Sequence, residues 1–183
     1  MTKTEQKIIS KAATGDRTAF RELVLEHSHA MFRLAWRLTG DQSIADDIVQ
    51  DAFIKAWSKI GAFRMESSFR SWLHRITVNT AMDHLRKKAR RERFETEEPA
   101  YEKLQQVHEV GAPELQIDFQ QQTRSALMNL SETERSALLL RHFEGHSINE
   151  IAQILNLTSG ACKQAVFRAV KTMRIELKPL VTT

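Results

Sequence analysis

The 183-residue chain is short of the residues that bridge or break a fold. It holds one cysteine, so no internal disulfide is possible, and a lone thiol fits a reducing, cytoplasmic setting. Three prolines and six glycines are too few for a turn-rich β fold and favour helices. No apolar run is long enough to span a bilayer, and the opening MTKTEQKIIS lacks the apolar core of a signal peptide. Also missing are a Gly-rich phosphate loop, a cluster of metal ligands and a nucleophile beside a base. His142 and His146, four apart, straddle a predicted helix end and make a poor metal site. The expectation is a protein that is not an enzyme, with no catalytic residue, no cofactor, no metal and no small-molecule substrate.

What is present is helical periodicity and an uneven spread of charge. Phe63–Arg91 reads as one long helix with a basic tail, entered through a loop at residues 62–68. Phe69, Trp72, Leu73, Ile76 and Thr80 form one apolar stripe, and Val78, Ala81, Met82 and Leu85 a second on nearly the opposite side. A helix apolar on two sides is packed on two sides. Between the stripes runs a polar line: Arg75, Asn79, Asp83, Arg86 and Arg90. Residues 64–91 carry eight basic and two acidic side chains, which is the footprint of a nucleic-acid reader or of a core helix with a solvated basic end. Ser67 or Ser68 can cap this helix, and the same hydroxyls could bond a base displaced from its stack.

Upstream, helices are predicted over 4–14, Thr18–Thr39 and Ile44–Ile60, with Gly15-Asp16, Gly40 and Gly61 as breaks. The third turns Asp46, Asp47, Gln50 and Asp51 outward around Ile54. An acidic rim about an exposed aliphatic suits docking on a basic protein surface. A solvated first turn favoured by the helix dipole accounts for Asp46 and Asp47, but not for Ile54.

Residues 92–118 reverse the charge, with eight acidic and two basic side chains, and include Pro99, Gly111 and Pro113. They read as a flexible acidic linker. Beyond it, Leu115–Leu130 is helical. Capping boxes at Ser131–Glu134 and Ser147–Glu150 start two more helices. The last two helices, Ile148–Asn156 and one ending near Lys178, form a helix-turn-helix over 148–167. Ile151 and Leu155 anchor it, Ala152 permits close approach, and Asn156 takes the left-handed turn position. Cys162, Val166, Ala169, Val170, Met173 and Leu177 form the buried stripe of the last helix, which makes Cys162 a packing residue. Lys163, Gln164, Phe167, Arg168, Lys171 and Arg174 lie opposite, where Gln suits adenine and Lys or Arg suits guanine or phosphate. The fold class is all-α: two helical domains, 1–91 and 119–183, joined by the linker.

These segments together resemble a bacterial RNA polymerase sigma factor of the extracytoplasmic-function group in the sigma-70 family. ADDIVQDAFIKAW at 45–57 is similar to the group's polymerase-binding helix. FRMESSFRSWLHRITVNTAMDHLRKKAR is similar to its minus-ten segment, and LSETERSALLLRHFEGHSINEIAQILNL to the start of its minus-thirty-five domain. The resemblance implies that Asp46, Asp47, Gln50, Asp51 and Ile54 dock on the clamp helices of the polymerase's largest subunit. It implies that Phe63, Arg64, Ser67, Ser68, Arg75, Asn79, Asp83, Arg86 and Lys87 meet the minus-ten DNA, with the Phe63–Ser68 loop holding a flipped base. Ser159, Lys163, Gln164, Phe167, Arg168 and Lys171 would serve the minus-thirty-five element. Promoter DNA, core polymerase and an anti-sigma factor, membrane-anchored in some cases, are the implied partners. The alternative is a stand-alone helix-turn-helix regulator. One departure stands out. The family's Thr-Val-Lys-Ser-Arg is Ala161-Cys162-Lys163-Gln164-Ala165 here, and an expected basic residue is Val170. The expectation is an altered minus-thirty-five preference or a weaker hold there, with Ala165→Arg restoring a contact.

Overall fold

The computed structural model describes residues 2–94 and 114–178. Its described elements are helices: α1 (Lys3–Ala13), α2 (Arg17–Thr39), α3 (Gln42–Lys59), a 3-10 turn at Ile60–Ala62, α4 (Phe69–Phe94), α5 (Glu114–Met128), α6 (Glu132–His142), α7 (Ile148–Leu155) and α8 (Ser159–Glu176). The expected linker, 92–118, needs correction at both ends, because 92–94 continue α4 and 114–118 open α5; residues 95–113 lie outside the described residues.

Local chemistry accounts for most of the boundaries. Asp16 caps α2 and Asp41 caps α3 through their carboxylates. Both expected capping boxes are formed, Ser131 with Glu134 and Ser147 with Glu150. Asn156 sits at φ 54 and ψ 48, the left-handed turn expected of it. The long basic segment is shorter at its start than its pattern suggests. Residues 63–68 are not helical, because Met65 turns the chain at φ 56 and the Ser68 hydroxyl accepts from the Ser71 amide at 3.0 Å. That capping bond starts α4 at Phe69.

The two apolar stripes of α4 divide its loyalties. Phe69, Leu73 and Ile76 join one buried cluster with Ile9, Leu23, Met31, Phe53 and Ile60 of the first three helices and the 3-10 turn. Val78 and Ala81 join another, which runs from Leu34, Leu38 and Ile48 into Leu127, Leu139, Ile151 and Cys162. The second cluster is therefore common to the N-terminal half, α1–α4, and the C-terminal half, α5–α8, while the first belongs to the N-terminal half alone. Each large aliphatic side chain removed from water there is worth about 1.5–3 kcal/mol.

Polar bonds line this seam. Arg135, on α6, is 8% exposed and donates to the carbonyls of Leu127, Met128 and Leu130 at the end of α5, and to that of Leu38 near the end of α2. One guanidinium thus satisfies carbonyls that two helix ends leave open. Gly40, at φ 72, lets α5 come close: a Cβ there would lie 2.9 Å from the Met128 sulfur. At the other end Arg37 lies over the Phe143 ring, 4.5 Å from its centre, and Arg70 bonds Glu144 at 2.7 Å.

Candidate nucleic-acid interface

The acidic face of α3 is open. Asp46, Asp47, Gln50 and Ile54 are exposed, and Ile54 keeps 60% of its surface in solvent although large and apolar. Its inner face, Ala45, Ile48, Ala52 and Ala56, is fully buried and fixes the outward register of the acids. Asp51 is half-buried and accepts from His84 Nε2 at 2.9 Å. Lys55, one turn on, donates to the Thr80 hydroxyl at 3.1 Å and lies 3.9 Å from Asp83. His84 and Lys55 were not singled out from sequence. They tie α3 to the polar ridge of α4.

On that ridge Arg75, Asn79, Asp83, Arg86 and Lys87 are exposed, on the expected line. In the preceding loop Arg64, Ser67 and Ser68 are exposed. Phe63 is half-buried, its ring 5.0 Å from Trp72 and 5.9 Å from Phe69. The loop thus rests on an aromatic shelf in which Trp72, missed as a site residue, is partly exposed. Only its helical spacing pointed to it, and that spacing marked it as core.

Although exposed, four of these ridge residues also line clefts shared with the C-terminal half. Arg75 lines a cleft of about 610 Å³ with Asn149, Ala152, Gln153, Asn156, Leu157, Thr158 and Ser159. Asn79, Met82, Asp83 and Arg86 line a second, of about 260 Å³, with Thr133, Leu155 and Leu157. The helix-turn-helix thereby borders the ridge along one side, which leaves no room there for a duplex to lie between them.

On α8, Ser159, Lys163, Gln164, Phe167, Arg168 and Lys171 are all exposed, with Phe167 at 66%. The Ser159 hydroxyl donates to Asn149 Oδ1 at 2.9 Å, which joins the two helices of the motif. Arg168 Nε donates to Glu134 Oε1 at 2.7 Å. Hydrogen bonding from Ser131, with Arg168 behind it, holds the Glu134 carboxyl below its ordinary value. Cys162 is fully buried, and burial pushes its thiol up. The expectation for position 165 needs correction. Ala165 is 1% exposed, on the packed side with Cys162 and Ala169, so a basic side chain there meets core rather than DNA.

The comparisons bear directly on these faces. The Sigma-70 region 2 profile matches residues 23–91, and the Sigma-70 region 4 profile matches 120–173. The RNA polymerase sigma-H factor of Pseudomonas aeruginosa is 34% identical over 97% of this chain and 95% of its own. The ECF RNA polymerase sigma-E factor of Escherichia coli is 32% identical over 97% of this chain and 96% of its own. Among solved structures, the sigma factor RpoE in complex with the anti-sigma factor NepR from Bartonella quintana aligns with a TM-score of 0.70 at 29% identity, covering 87% of this chain and 96% of that one. CnrH in complex with the cytosolic domain of CnrY aligns with a TM-score of 0.67 at 26% identity, covering 96% and 97%. With both regions matched and relatives aligned end to end, the chain belongs to the extracytoplasmic-function group of the sigma-70 family, as a promoter-specific transcription initiation factor.

Proposed function

We propose that the chain docks on core RNA polymerase through Asp46, Asp47, Gln50, Asp51 and Ile54, and that the seam between its halves is its resting state. One observation carries this reading: the α3 face stands open while the α4 ridge shares its clefts with the helix-turn-helix. A factor so arranged meets polymerase first and DNA second. On the opened chain, Arg75, Asn79, Asp83, Arg86 and Lys87 meet the minus-ten element. The loop carrying Phe63, Arg64, Ser67 and Ser68 takes an unpaired base. Ser159, Lys163, Gln164, Phe167, Arg168 and Lys171 meet the minus-thirty-five element. Melting is then capture of exposed bases, with no bond made or broken. Stacking and hydrogen bonding of the captured base offset the few kcal/mol of unstacking.

The division into 1–91, 92–118 and 119–183 serves this reading. Two turns of DNA span about 70 Å. The two halves, packed on one another in the free chain, must therefore be drawn apart on the polymerase, and the acidic charge of 92–118 suits a positively charged path on it. The two solved relatives are each held by a second protein, the anti-sigma factor NepR and the cytosolic domain of CnrY. A regulator of that kind is the further partner proposed here, whether or not it is anchored in a membrane.

Run-off transcription with core polymerase, this chain and genomic DNA tests the proposal. Discrete start sites that vanish with Asp46→Ala and Asp47→Ala together support it. Tight, specific promoter binding without polymerase would instead favour the stand-alone regulator.

A further inference from the structure

Three histidines are buried in the described core, and two of them meet across the seam. His74 lies on α4, fully buried; His146 lies in the loop before α7, 5% exposed. His74 Nδ1 and His146 Nε2 are 2.8 Å apart, with the ring centres 5.1 Å apart and nearly perpendicular. At that distance one nitrogen must donate and the other accept, so the contact needs a proton on one side only. We propose that this pair is a proton-operated latch, closed when both imidazoles are neutral and released when they are charged, which sets how readily the resting state opens. The inference rests on the reading of the seam as that resting state.

The surroundings oppose charge on His74. Its Nε2 has no hydrogen-bond partner; Glu144 Oε2 lies 3.3 Å away, off the line such a bond needs. That carboxylate is already committed to Arg70 at 2.7 Å. From α2, His27 and Arg37 face the same corner, and Arg37 covers Phe143 beside Glu144. Arg141 donates to the His146 carbonyl at 2.9 Å and adds positive charge on the α6 side. Glu150, on α7, 4.0 Å from His146 Nδ1 and half in solvent, favours charge on His146, and Glu144 does so to a lesser degree. His74 is thus the less tolerant partner. Burial, then His146, Arg70 and His27, lower it from 6.5 to about 3; burial also lowers His146.

The sign follows from linkage. A value lowered only in the closed chain means that the open chain binds more protons at low pH. Closure is at full strength above the ordinary histidine value and weakens as pH falls through it. From about pH 7.5 to about pH 5.5, His74 alone shifts the open-to-closed ratio about tenfold toward open, and His146 adds to this.

Energy transfer between dyes on Ser58→Cys and Glu176→Cys, in a full-length Cys162→Ala chain without polymerase or DNA, reads the opening directly. The expected result is at least a tenfold rise in the open fraction between those pH values, with far-UV helical signal unchanged. His146→Gln, which keeps a donor toward His74, and His74→Leu should each flatten the profile, while His27→Asn should leave it in place. A pH-independent ratio, a variant profile matching the unaltered one, or helical signal lost in step with the dyes would each overturn the latch. None of these outcomes depends on promoter activity. Failure of run-off transcription at neutral pH would count against the functional reading instead.

Discussion

Helices α3 and α4 pack against each other and are cross-tied by Asp51–His84 and Lys55–Thr80, yet the polar ridge of α4 borders the C-terminal half while the acidic face of α3 stands clear of it. The difference lies in the second face of each helix. On α4, Val78 and Ala81 are as buried as Phe69 and Leu73, and what packs near them is the C-terminal half. The outward face of α3 carries acids around one aliphatic, Ile54, which no described residue covers. A charged rim with an apolar centre is costly to bury against one's own chain but suits a basic partner. Position on two neighbouring helices thus separates the proposed docking face from the proposed reading face.

Several substitutions should break or sharpen this contrast. The largest effect belongs to Arg135→Met, which keeps much of the volume but leaves the carbonyls of Leu38, Leu127, Met128 and Leu130 without their donor. Urea unfolding should register a loss of about 3 kcal/mol or more, and the α4 ridge should exchange amide hydrogen faster while the α3 face changes little. Ala165→Arg comes next. It forces a long cation into a packed position, so stability should fall by about 1–3 kcal/mol without stronger minus-thirty-five binding. A gain in promoter binding with no loss of stability would place that residue outside the core after all. Gly40→Ala strains a left-handed position and presses on Met128, for about 1–2 kcal/mol in thermal unfolding. Smallest for the fold is Asp47→Arg on the open α3 face. Stability should stay within about 0.5 kcal/mol. Core polymerase affinity, measured by anisotropy, should nonetheless drop about tenfold.

The sequence was most legible where the physics is local. Asn156, both capping boxes and the paired stripes of α4 depend on neighbours within a few residues, and all are where their spacing puts them. The seam was not legible. His74 with His146 spans 72 positions, and Arg135 with Leu38 spans 97. Arg135 reads in sequence as one more charge on an exposed turn; only the approach of two helix ends gives it carbonyls to serve. His146 was weighed as a metal ligand with His142, when its partner lay on another helix. Ala165 was misread for a different reason. The spacing 162, 165, 169 already put it on the buried stripe, but comparison with the family's usual basic residue drew attention to the wrong face.

The most direct test is the separation of the halves in three states: free, with core polymerase, and with core polymerase on promoter DNA. The packing of the two halves on one another predicts a short distance in the free chain and a rise toward about 70 Å once core is bound. A distance that stays short on core binding while transcription starts normally would contradict it.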